Sequence, residues 1–182
     1  MKLVITGSAG NIGRRLMPAF PGSIGIDRAH GTNIVAELMT LDYDRPDVRA
    51  ALRSADGLVH LATSADPEAP DAVHFGAVTA TARLVAACAA AKVPRLVLAS
   101  SDWAEPKTKM ADTNTYGHSK RVFEAMAAMY AHATGGYAVG LRIGWVPHDP
   151  EALRTAPEWL QKNYWDDARL IGEVRGALGL YV

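Results

Sequence analysis

Short apolar runs alternate along this chain with longer amphipathic segments. The apolar runs predict β-strands over Leu3–Thr6, Ser23–Asp27, Asn33–Leu38, Gly57–Ala62, Arg95–Ser100 and Tyr137–Ile143. The segments between and after them predict helices over Asn11–Phe20, Pro46–Arg53, Asp71–Lys92, Thr115–Ala133 and Pro157–Leu178. Apolar strands that are separated by helices are typical of a parallel sheet covered on both faces. The pattern therefore predicts a doubly wound α/β fold.

The length and charge of the chain limit the possible organisation and partners. No linker or repeat interrupts the 182 residues, so we expect one domain, with residues 145–182 as a short extension on the substrate side. The 19 basic and 19 acidic residues balance to a net charge of zero. This balance gives no reason to expect a nucleic acid or an anionic membrane as a partner.

Cysteine content and hydropathy point to a cytoplasmic location. The single cysteine, Cys88, excludes an internal disulfide, and its alanine-rich helical setting predicts a buried, unreactive thiol. The apolar run at the N-terminus is interrupted at Thr6-Gly7, unlike the core of a signal peptide. The other long apolar stretch, Val78–Ala91, contains Arg83, so we expect no membrane-spanning helix.

A glycine-rich turn follows the first predicted strand. In the segment Thr6–Gly13 (TGSAGNIG), Gly7 allows a tight turn, Gly10 lets the backbone approach a ligand, and Gly13 lets helix and strand pack closely. The N-terminus of the next helix then directs N–H groups and a positive dipole end toward an anion. A strand, this turn and a helix in that order predict a pyrophosphate-binding site in a Rossmann-type fold.

An acidic residue at the end of the second strand indicates which dinucleotide is bound. Asp27 can accept hydrogen bonds from both ribose hydroxyls of an adenosine and would repel a 2′-phosphate, which favours NAD over NADP. Arg28 follows directly and could offset that repulsion, so NADP stays open. Asp42, after the third strand, is a candidate contact to the adenine edge or an ordinary turn residue.

A tyrosine and a lysine in the fourth predicted helix are the candidate acid/base groups. Tyr116 and Lys120 are one helical turn apart on the same face. An ammonium beside a phenol is expected to lower the pKa of the phenol toward working pH. Ser100 and Ser101 end the fifth strand, at the sheet edge where open α/β sheets bind ligands. The alternative is that these serines are turn residues and the tyrosine only packs.

These motifs together resemble the extended short-chain dehydrogenase/reductases, the NAD-dependent epimerase/dehydratase family. The resemblance rests on Thr6–Gly13, Asp27, the HLA of His60–Ala62, the PRLVLASS of Pro94–Ser101 and the YGHSK of Tyr116–Lys120. It implies that Ser101, Tyr116 and Lys120 are the catalytic residues. It also implies a dimer formed through the two long helices.

Cofactor contacts are expected along the turn, the ends of the strands and the catalytic helix. The candidate cofactor-binding residues are Gly7, Ala9, Gly10, Asn11, Ile12, Gly13, Asp27, Arg28, Asp42, Leu61, Ala62, Thr63, Tyr116, Lys120 and Ile143. The expected cofactor is NAD. The histidines show no metal-ligand spacing on a shared face, so no metal site is expected.

Within the family the chain is most similar to uronate dehydrogenases, which oxidise the anomeric carbon of a free hexuronic acid. The likeness includes Arg142-Ile143-Gly144, Arg154 and Trp159. By this resemblance the planar guanidinium of Arg154 binds both oxygens of a substrate carboxylate. The alternative, equally supported, is that Arg154 is an exposed loop residue without that role. The further candidate substrate contacts are Ser64, Asp102 and Trp103.

Several departures from the family pattern keep other functions open. The segment between Ser101 and Tyr116 is short, Asp102-Trp103 replaces an Asn-His pair, and Ala77 stands where many relatives have an asparagine. The few residues after the sixth strand argue for a small substrate. The alternatives are a nucleotide-sugar epimerase or dehydratase, which the short C-terminus disfavours, and an NAD(P)-binding module without turnover.

Overall fold

One parallel sheet forms the centre of the molecule. The structure is a computed structural model, and it describes residues 1–105, 114–149 and 151–180. The strands of the described residues are β1 (Leu3–Thr6), β2 (Ile24–Asp27), β3 (Ile34–Val35), β4 (Gly57–His60), β5 (Arg95–Ser100) and β6 (Tyr137–Arg142). All neighbouring pairs are parallel, in the order β3-β2-β1-β4-β5-β6. The strand order reverses between β1 and β4, which is where this fold class binds its ligand. The predicted doubly wound α/β fold is confirmed.

Helices connect the strands and cover both faces. They are α1 (Gly13–Ala19), α2 (Pro46–Arg53), α3 (Asp71–Ala91), α4 (Thr115–Thr134), α5 (Ala152–Thr155), α6 (Glu158–Gln161) and α7 (Asp167–Ala177), with a short 3₁₀ turn at Asp102–Ala104. The first four lie where the sequence pattern predicts them. Their ends differ from the prediction by a few residues at most, as at α1, which begins at Gly13 rather than Asn11.

Successive strand residues contribute to opposite faces of the sheet. Leu3 and Ile5 of β1 pack into the core beneath α1 and α7, whereas Val4 packs into the core beneath α2, α3 and α4. All three side chains are fully buried. Because side chains alternate along a strand, a strand covered on both faces is apolar at every position. This is why the central strands have no polar face.

The predicted C-terminal helix over Pro157–Leu178 is wrong in part. Instead of one helix, this segment contains α6, a loop and α7. The Trp145 N–H donates to the Asn163 carbonyl at 2.7 Å, and the Trp165 N–H donates to the Trp145 carbonyl at 2.9 Å. Trp165 is buried in the core beneath α1 and α7. Tertiary pairing therefore removes residues 163–165 from the helix, and Asp166 starts α7 by accepting from the Arg169 N–H at 2.7 Å.

Helix α3 is apolar as well as long. Among the described residues it is the one helix whose length and composition would suffice to cross a membrane. Its inward side chains are buried in the core of this domain: His74, Ala80, Thr81, Leu84, Val85 and Cys88. Arg83 donates to the Leu41 carbonyl at 2.8 Å, which ties α3 to the loop before α2. These contacts are those of a helix that covers a sheet.

The single cysteine has the surroundings that the sequence predicts. Cys88 is fully buried on α3. Burial raises the pKa of its thiol to about 12, because the thiolate would lose its hydration. The thiol therefore stays protonated at neutral pH, and the prediction of a buried, unreactive cysteine is confirmed.

Candidate active site

The glycine turn after β1 is held by close backbone packing. Gly7 has a φ of +72°, and a Cβ there would lie 2.7 Å from the Ala62 backbone nitrogen. A Cβ at Gly13 would lie 2.2 Å from the Gly7 carbonyl oxygen, so α1 starts directly against the turn. Gly10 donates its N–H to the Gly7 carbonyl at 3.0 Å and is exposed. Only glycine fits at positions 7 and 13, and the backbone near position 10 is open to a ligand.

The Asp27 carboxylate lies at this turn. One of its oxygens accepts from the Ala9 N–H at 3.0 Å and the other accepts from the Ala29 N–H at 3.0 Å. These bonds hold the carboxylate at the end of β2, and Arg28 beside it is exposed. The glycine cradle and this carboxylate together fit the pyrophosphate and ribose of a dinucleotide.

The other predicted cofactor residues surround the same edge of the sheet. Leu61 donates its N–H to the Thr6 carbonyl at 3.0 Å, and Ile143 donates to the Ser100 carbonyl at 3.2 Å. The Asn11 side chain donates to the Val146 carbonyl at 2.7 Å, and Ile12 packs against the core beneath α1 and α7. Asp42 is exposed and accepts from the Asp44 N–H at 2.9 Å, as a turn residue does.

Tyr116 and Lys120 lie side by side at the start of α4. Asn114 caps this helix by accepting from the Gly117 N–H at 3.0 Å. Tyr116 is 7% exposed and Lys120 is 3% exposed. The Lys120 ammonium nitrogen lies 5.0 Å from the centroid of the Tyr116 ring and donates to the Thr63 hydroxyl at 2.9 Å. The helix therefore presents both groups inward, toward the carboxyl end of β5.

The two serines at the end of β5 have different partners. Ser100 donates to Glu124 at 2.7 Å, and the same carboxylate binds Arg142 at 2.7 Å, so Ser100 belongs to a structural network. The Ser101 hydroxyl instead lies near enough to the Tyr116 phenol to lower the pKa of that phenol through hydrogen bonding. The Ser101 hydroxyl also accepts from the Trp103 N–H at 3.4 Å. Of the pair, Ser101 is the residue that lies with Tyr116 and Lys120.

The electrostatics of this cluster differ from the sequence prediction. Burial raises the pKa of Tyr116, and the smaller, opposing effect is the hydrogen bond from Ser101. Burial also lowers the pKa of Lys120 to about 7. The prediction that Lys120 lowers the pKa of the phenol is wrong for this arrangement, because the buried amine loses its proton at a lower pH than the phenol does.

Two aromatic rings meet the ring of Tyr116. Trp103 packs edge to face at 6.2 Å between centroids, and His74 of α3 packs edge to face at 5.5 Å. Sequence reasoning missed His74. Its spacing of seven from Thr81 puts both on one helix face, and that spacing is the signal that could have pointed to it.

His60 of the HLA motif is buried in the core. Its Nδ1 lies 2.6 Å from the Thr6 hydroxyl and its Nε2 lies 2.9 Å from the Thr81 hydroxyl. Thr81 donates to the Ala77 carbonyl at 2.7 Å, so it accepts the proton of Nε2, and Nδ1 accepts from Thr6. Burial lowers the pKa of His60 to about 3. Within the described ranges, no three His, Cys, Asp or Glu side chains are grouped to hold a metal ion.

The predicted substrate residues are not gathered in one place. Trp103 contacts Tyr116, and the neighbouring Asp102 is exposed. Ser64 accepts from the Asp66 N–H at 3.2 Å within its own loop. Arg154 is largely exposed on α5, where it forms an ion pair with Glu151 at 2.9 Å. In this arrangement the Arg154 side chain is paired with the residue that precedes its own helix.

Comparison with known proteins agrees with this geometry. Residues 3–147 match the NAD dependent epimerase/dehydratase family. An L-arabinose 1-dehydrogenase (NAD(P)(+)) from Haloferax volcanii is 29% identical, and the alignment covers 80% of this chain and 67% of that protein. A mutated uronate dehydrogenase is 25% identical with a TM-score of 0.62, covering 79% of this chain and 58% of the other.

A short-chain dehydrogenase/reductase superfamily protein from Agrobacterium tumefaciens, solved with bound NAD, shares the fold. It is 23% identical with a TM-score of 0.65, and the alignment covers 88% of this chain and 54% of the other. The chain thus spans between about half and two thirds of the length of these proteins. The family match runs from β1 to the segment after β6 and includes the glycine turn, Ser101, Tyr116 and Lys120. The chain therefore belongs to the NAD dependent epimerase/dehydratase family.

Proposed function

We propose that this protein is an NAD-dependent dehydrogenase that oxidises the anomeric hydroxyl of a small free sugar or sugar acid. The observation that carries the proposal is the convergence of Ser101, Tyr116 and Lys120 at the carboxyl end of β5. This edge of the sheet also holds the glycine turn and the Asp27 carboxylate. A hydroxyl, a phenol and an amine beside a dinucleotide cradle are suited to removing a proton and a hydride from an alcohol.

Each side chain has a defined part in that reaction. Bound NAD supplies the hydride acceptor. The Tyr116 oxygen takes the proton of the substrate hydroxyl, and the Ser101 hydroxyl donates a hydrogen bond to the reacting oxygen. The Lys120 amine lies against the Tyr116 ring and donates to the Thr63 hydroxyl. These contacts hold a polar group next to the buried phenol. Because burial raises the pKa of Tyr116, oxidation should become faster toward alkaline pH.

The preference for NAD is proposed from Asp27. A 2′-phosphate on the adenosine ribose would lie against this carboxylate, whose position two backbone N–H groups hold. We expect kcat/KM with NAD to exceed that with NADP by about tenfold or more, and D27A to reduce that ratio. Arg28→Ala is the matched control, since losing the neighbouring cation should increase the ratio. An unchanged ratio in D27A would contradict the assignment.

The proposed substrate class is supported by two dehydrogenases among the similar proteins. One is named for L-arabinose and the other for a uronate, so a neutral sugar and a sugar acid are the two arms of the test. L-Arabinose, galacturonate and glucuronate are mixed separately with NAD, and formation of reduced nicotinamide is followed by its absorbance. The exposed ion pair of Arg154 with Glu151 favours the neutral sugar.

The Arg154→Ala variant distinguishes a uronate substrate from a neutral sugar. If a uronate is the substrate and Arg154 binds its carboxylate, the variant loses about tenfold or more in kcat/KM for the uronate and nothing for arabinose. No reduced nicotinamide with any sugar over neutral to alkaline pH would sink the proposed dehydrogenase. Tightly retained NAD with interconversion of a nucleotide sugar would support an epimerase instead.

We also propose a cytoplasmic dimer. The location is supported by the single, buried cysteine.

The dimer is supported by apolar side chains exposed on the two long helices, namely Phe75 and Val73 on α3 and Val122 and Met129 on α4. Gel filtration should give twice the mass of one chain, and Met129→Glu should shift it to the mass of one chain. A wild-type protein that elutes as one chain at high concentration would contradict this proposal.

A further inference from the structure

A network of polar side chains joins α4 to the carboxyl ends of β5 and β6. Glu124 of α4 accepts a hydrogen bond from the Ser100 hydroxyl at 2.7 Å. The same carboxylate accepts from the guanidinium of Arg142 on β6 through both of its oxygens, at 2.7 and 3.0 Å. Arg142 also pairs with Glu105, which follows the 3₁₀ turn. We call Ser100, Glu105, Glu124 and Arg142 the Glu124 network.

The packing of α4 on β6 leaves room for the central carboxylate of this network. A Cβ at Gly140 of β6 would lie 2.6 Å from Cγ of Glu124 and 3.0 Å from its Cα. Ser100 is 4% exposed, so its hydroxyl needs a partner within the protein. A planar guanidinium that binds both oxygens of a carboxylate fixes the orientation of that carboxylate. The Glu124 side chain is therefore held in one place between β5 and β6.

The Glu124 network is continuous with the candidate active site. Glu124 lies four residues after Lys120 and eight after Tyr116, so these three side chains share one side of α4. Ser101 follows Ser100 directly, and its backbone is extended, with φ −153° and ψ 158°. The bond from Ser100 to α4 therefore sets the distance between the strand end that carries Ser101 and the helix that carries Tyr116.

The 3₁₀ turn after Ser101 is tied to the same helix. Arg121 of α4 donates to the Ala104 carbonyl at 2.6 Å. At the start of the turn, the Trp103 N–H donates to the Ser101 hydroxyl at 3.4 Å, and the Trp103 ring meets the ring of Tyr116. The segment that carries Ser101 is thus anchored to α4 both before and after the serine.

We propose that the Glu124 network positions the Ser101 hydroxyl so that it and the Tyr116 oxygen reach the same substrate hydroxyl. The inference rests on the proposed dehydrogenase function. Glu124 and Arg142 have no assigned contact with substrate or NAD, so they are positioning residues that act through Ser101. A displacement of about 1 Å between reacting groups can cost a hundredfold in rate, so loss of the network should lower kcat.

The Ser100→Ala variant tests the network without changing any charge. It removes the hydroxyl that binds Glu124, and we expect kcat per NAD-binding site to fall about tenfold with little change in KM for the sugar. Calorimetry with NAD counts the sites, so unfolded protein does not contribute. Ser23→Ala is the matched control, because Ser23 is also buried and accepts from the Leu3 N–H at 3.2 Å at the amino ends of the strands. Equal kcat for S100A and wild type would overturn the proposal.

The pH dependence of kcat distinguishes positioning from a purely structural role. Hydrogen bonding by the Ser101 hydroxyl lowers the pKa of the Tyr116 phenol, against the larger effect of burial. If S100A lets this serine move away, the pKa of the phenol rises, and the increase of kcat should shift to higher pH. The titratable side chains in ring contact with Tyr116, His74 and Lys120, are unchanged in this variant. A profile with the wild-type midpoint would count against the proposal decisively.

Variants of Glu124 separate its hydrogen bond from its charge. E124A removes both, and kcat should fall at least as far as in S100A. E124Q keeps an oxygen that can accept from Ser100, so its kcat should lie closer to wild type. The double variant S100A/E124A should have the kcat of E124A, because both substitutions break the same bond. Losses that multiply in the double variant would show that the two residues act separately and would overturn the network.

Hydrogen exchange tests the network without turnover. R142M breaks its ion pairs, so the backbone N–H groups of Trp103 and Ala104 should exchange about tenfold or more faster than in wild type. D47N is the matched control, since it disrupts the two-contact pair of Arg45 with Asp47 near the start of α2 and should leave exchange at the turn unchanged.

The exchange result also separates this inference from the proposed function. If wild type oxidises no sugar, the dehydrogenase proposal fails, whereas faster exchange in R142M still supports the network as the device that holds Ser101. Unchanged exchange at the turn in R142M would overturn the inference whether or not wild type is active.

Discussion

Helix α3 contacts two buried clusters, each of which contains a histidine, and the two histidine rings differ in their hydrogen bonding. In the His60 cluster, formed by Thr6, His60 and Thr81, both ring nitrogens have hydroxyl partners. In the Tyr116 cluster, formed by His74, Ser101, Trp103, Tyr116 and Lys120, the Nε2 of His74 has no partner among the described residues. The first arrangement minimises the cost of burying an imidazole, and the second leaves that cost uncompensated.

The difference indicates that the His60 cluster contributes to stability and the Tyr116 cluster to the proposed reaction. The His60 cluster joins β1, β4 and α3, so its hydrogen bonds contribute to the folded state. The Tyr116 cluster contains a phenol whose pKa burial raises and an amine whose pKa burial lowers to about 7. Groups held in such unfavourable protonation environments are typical of reactive sites.

The largest expected effect is on activity in the Tyr116 cluster. Replacing Tyr116 by Phe removes the proton acceptor and leaves the ring contacts with His74 and Trp103, so kcat should fall by about a hundredfold or more. The free energy of unfolding should fall by no more than about 1.5 kcal/mol, because the variant loses the hydrogen bond between the phenol and Ser101 but keeps the ring packing. Steady-state kinetics and chemical denaturation measure both, and calorimetry should find NAD binding largely intact. Retained turnover would contradict the assignment of Tyr116 as the base.

The next largest effect is on stability in the His60 cluster. His60→Ala leaves a cavity and removes the acceptor of the Thr6 hydroxyl, so it should destabilise the protein by about 2–4 kcal/mol. Urea denaturation measures the loss. His118→Ala, at an exposed position on α4, should change the free energy of unfolding by less than about 0.5 kcal/mol. Equal effects of the two substitutions would remove the basis for calling the His60 cluster structural.

The pH dependence of stability should also originate in the His60 cluster. The folded-state pKa of His60 is about 3, below the value of about 6.5 for an unfolded chain. The unfolded state therefore binds the extra proton as the pH falls below about 6.5, and stability drops toward pH 3 by up to about 1.4 kcal/mol per pH unit. Denaturation curves over this range should show a steeper dependence for wild type than for His60→Asn. Identical slopes would contradict the neutral state of His60.

The smallest predicted effect is a gain of stability when the Tyr116 cluster loses its amine. The pKa of Lys120 is about 7 when folded and about 10.4 when unfolded, so wild-type stability should rise with pH between those values. Lys120→Met should not show this rise and should be more stable than wild type at neutral pH by roughly 1 kcal/mol or more. Thermal unfolding at several pH values measures the difference. A variant that is destabilised at neutral pH would show that the amine stabilises the cluster.

Local sequence patterns predicted the sheet and the glycine turn well. The bounds of β1, β5 and α2 agree with the prediction, and Gly7 and Gly13 lie where a Cβ would clash. The helix over Pro157–Leu178 was not predictable in detail, because the pairing of Trp145 with residues 163–165 is a contact between distant parts of the chain. The family resemblance already pointed to Ser101, whereas the pairing of Ser100 with Glu124 is a contact between distant residues that only the tertiary structure shows.

By itself the sequence determined the elements, their order and the residue types at the sheet edge. It could do so because apolar periodicity, glycine spacing and the Tyr116–Lys120 spacing are properties of neighbouring residues. Only the tertiary structure determined the directions of the pKa shifts at the site and placed His74 beside the predicted residues. Burial, which reverses the expected shift in the pKa of Tyr116 and brings His74 against its ring, arises from the packing of α3 and α4 on the sheet.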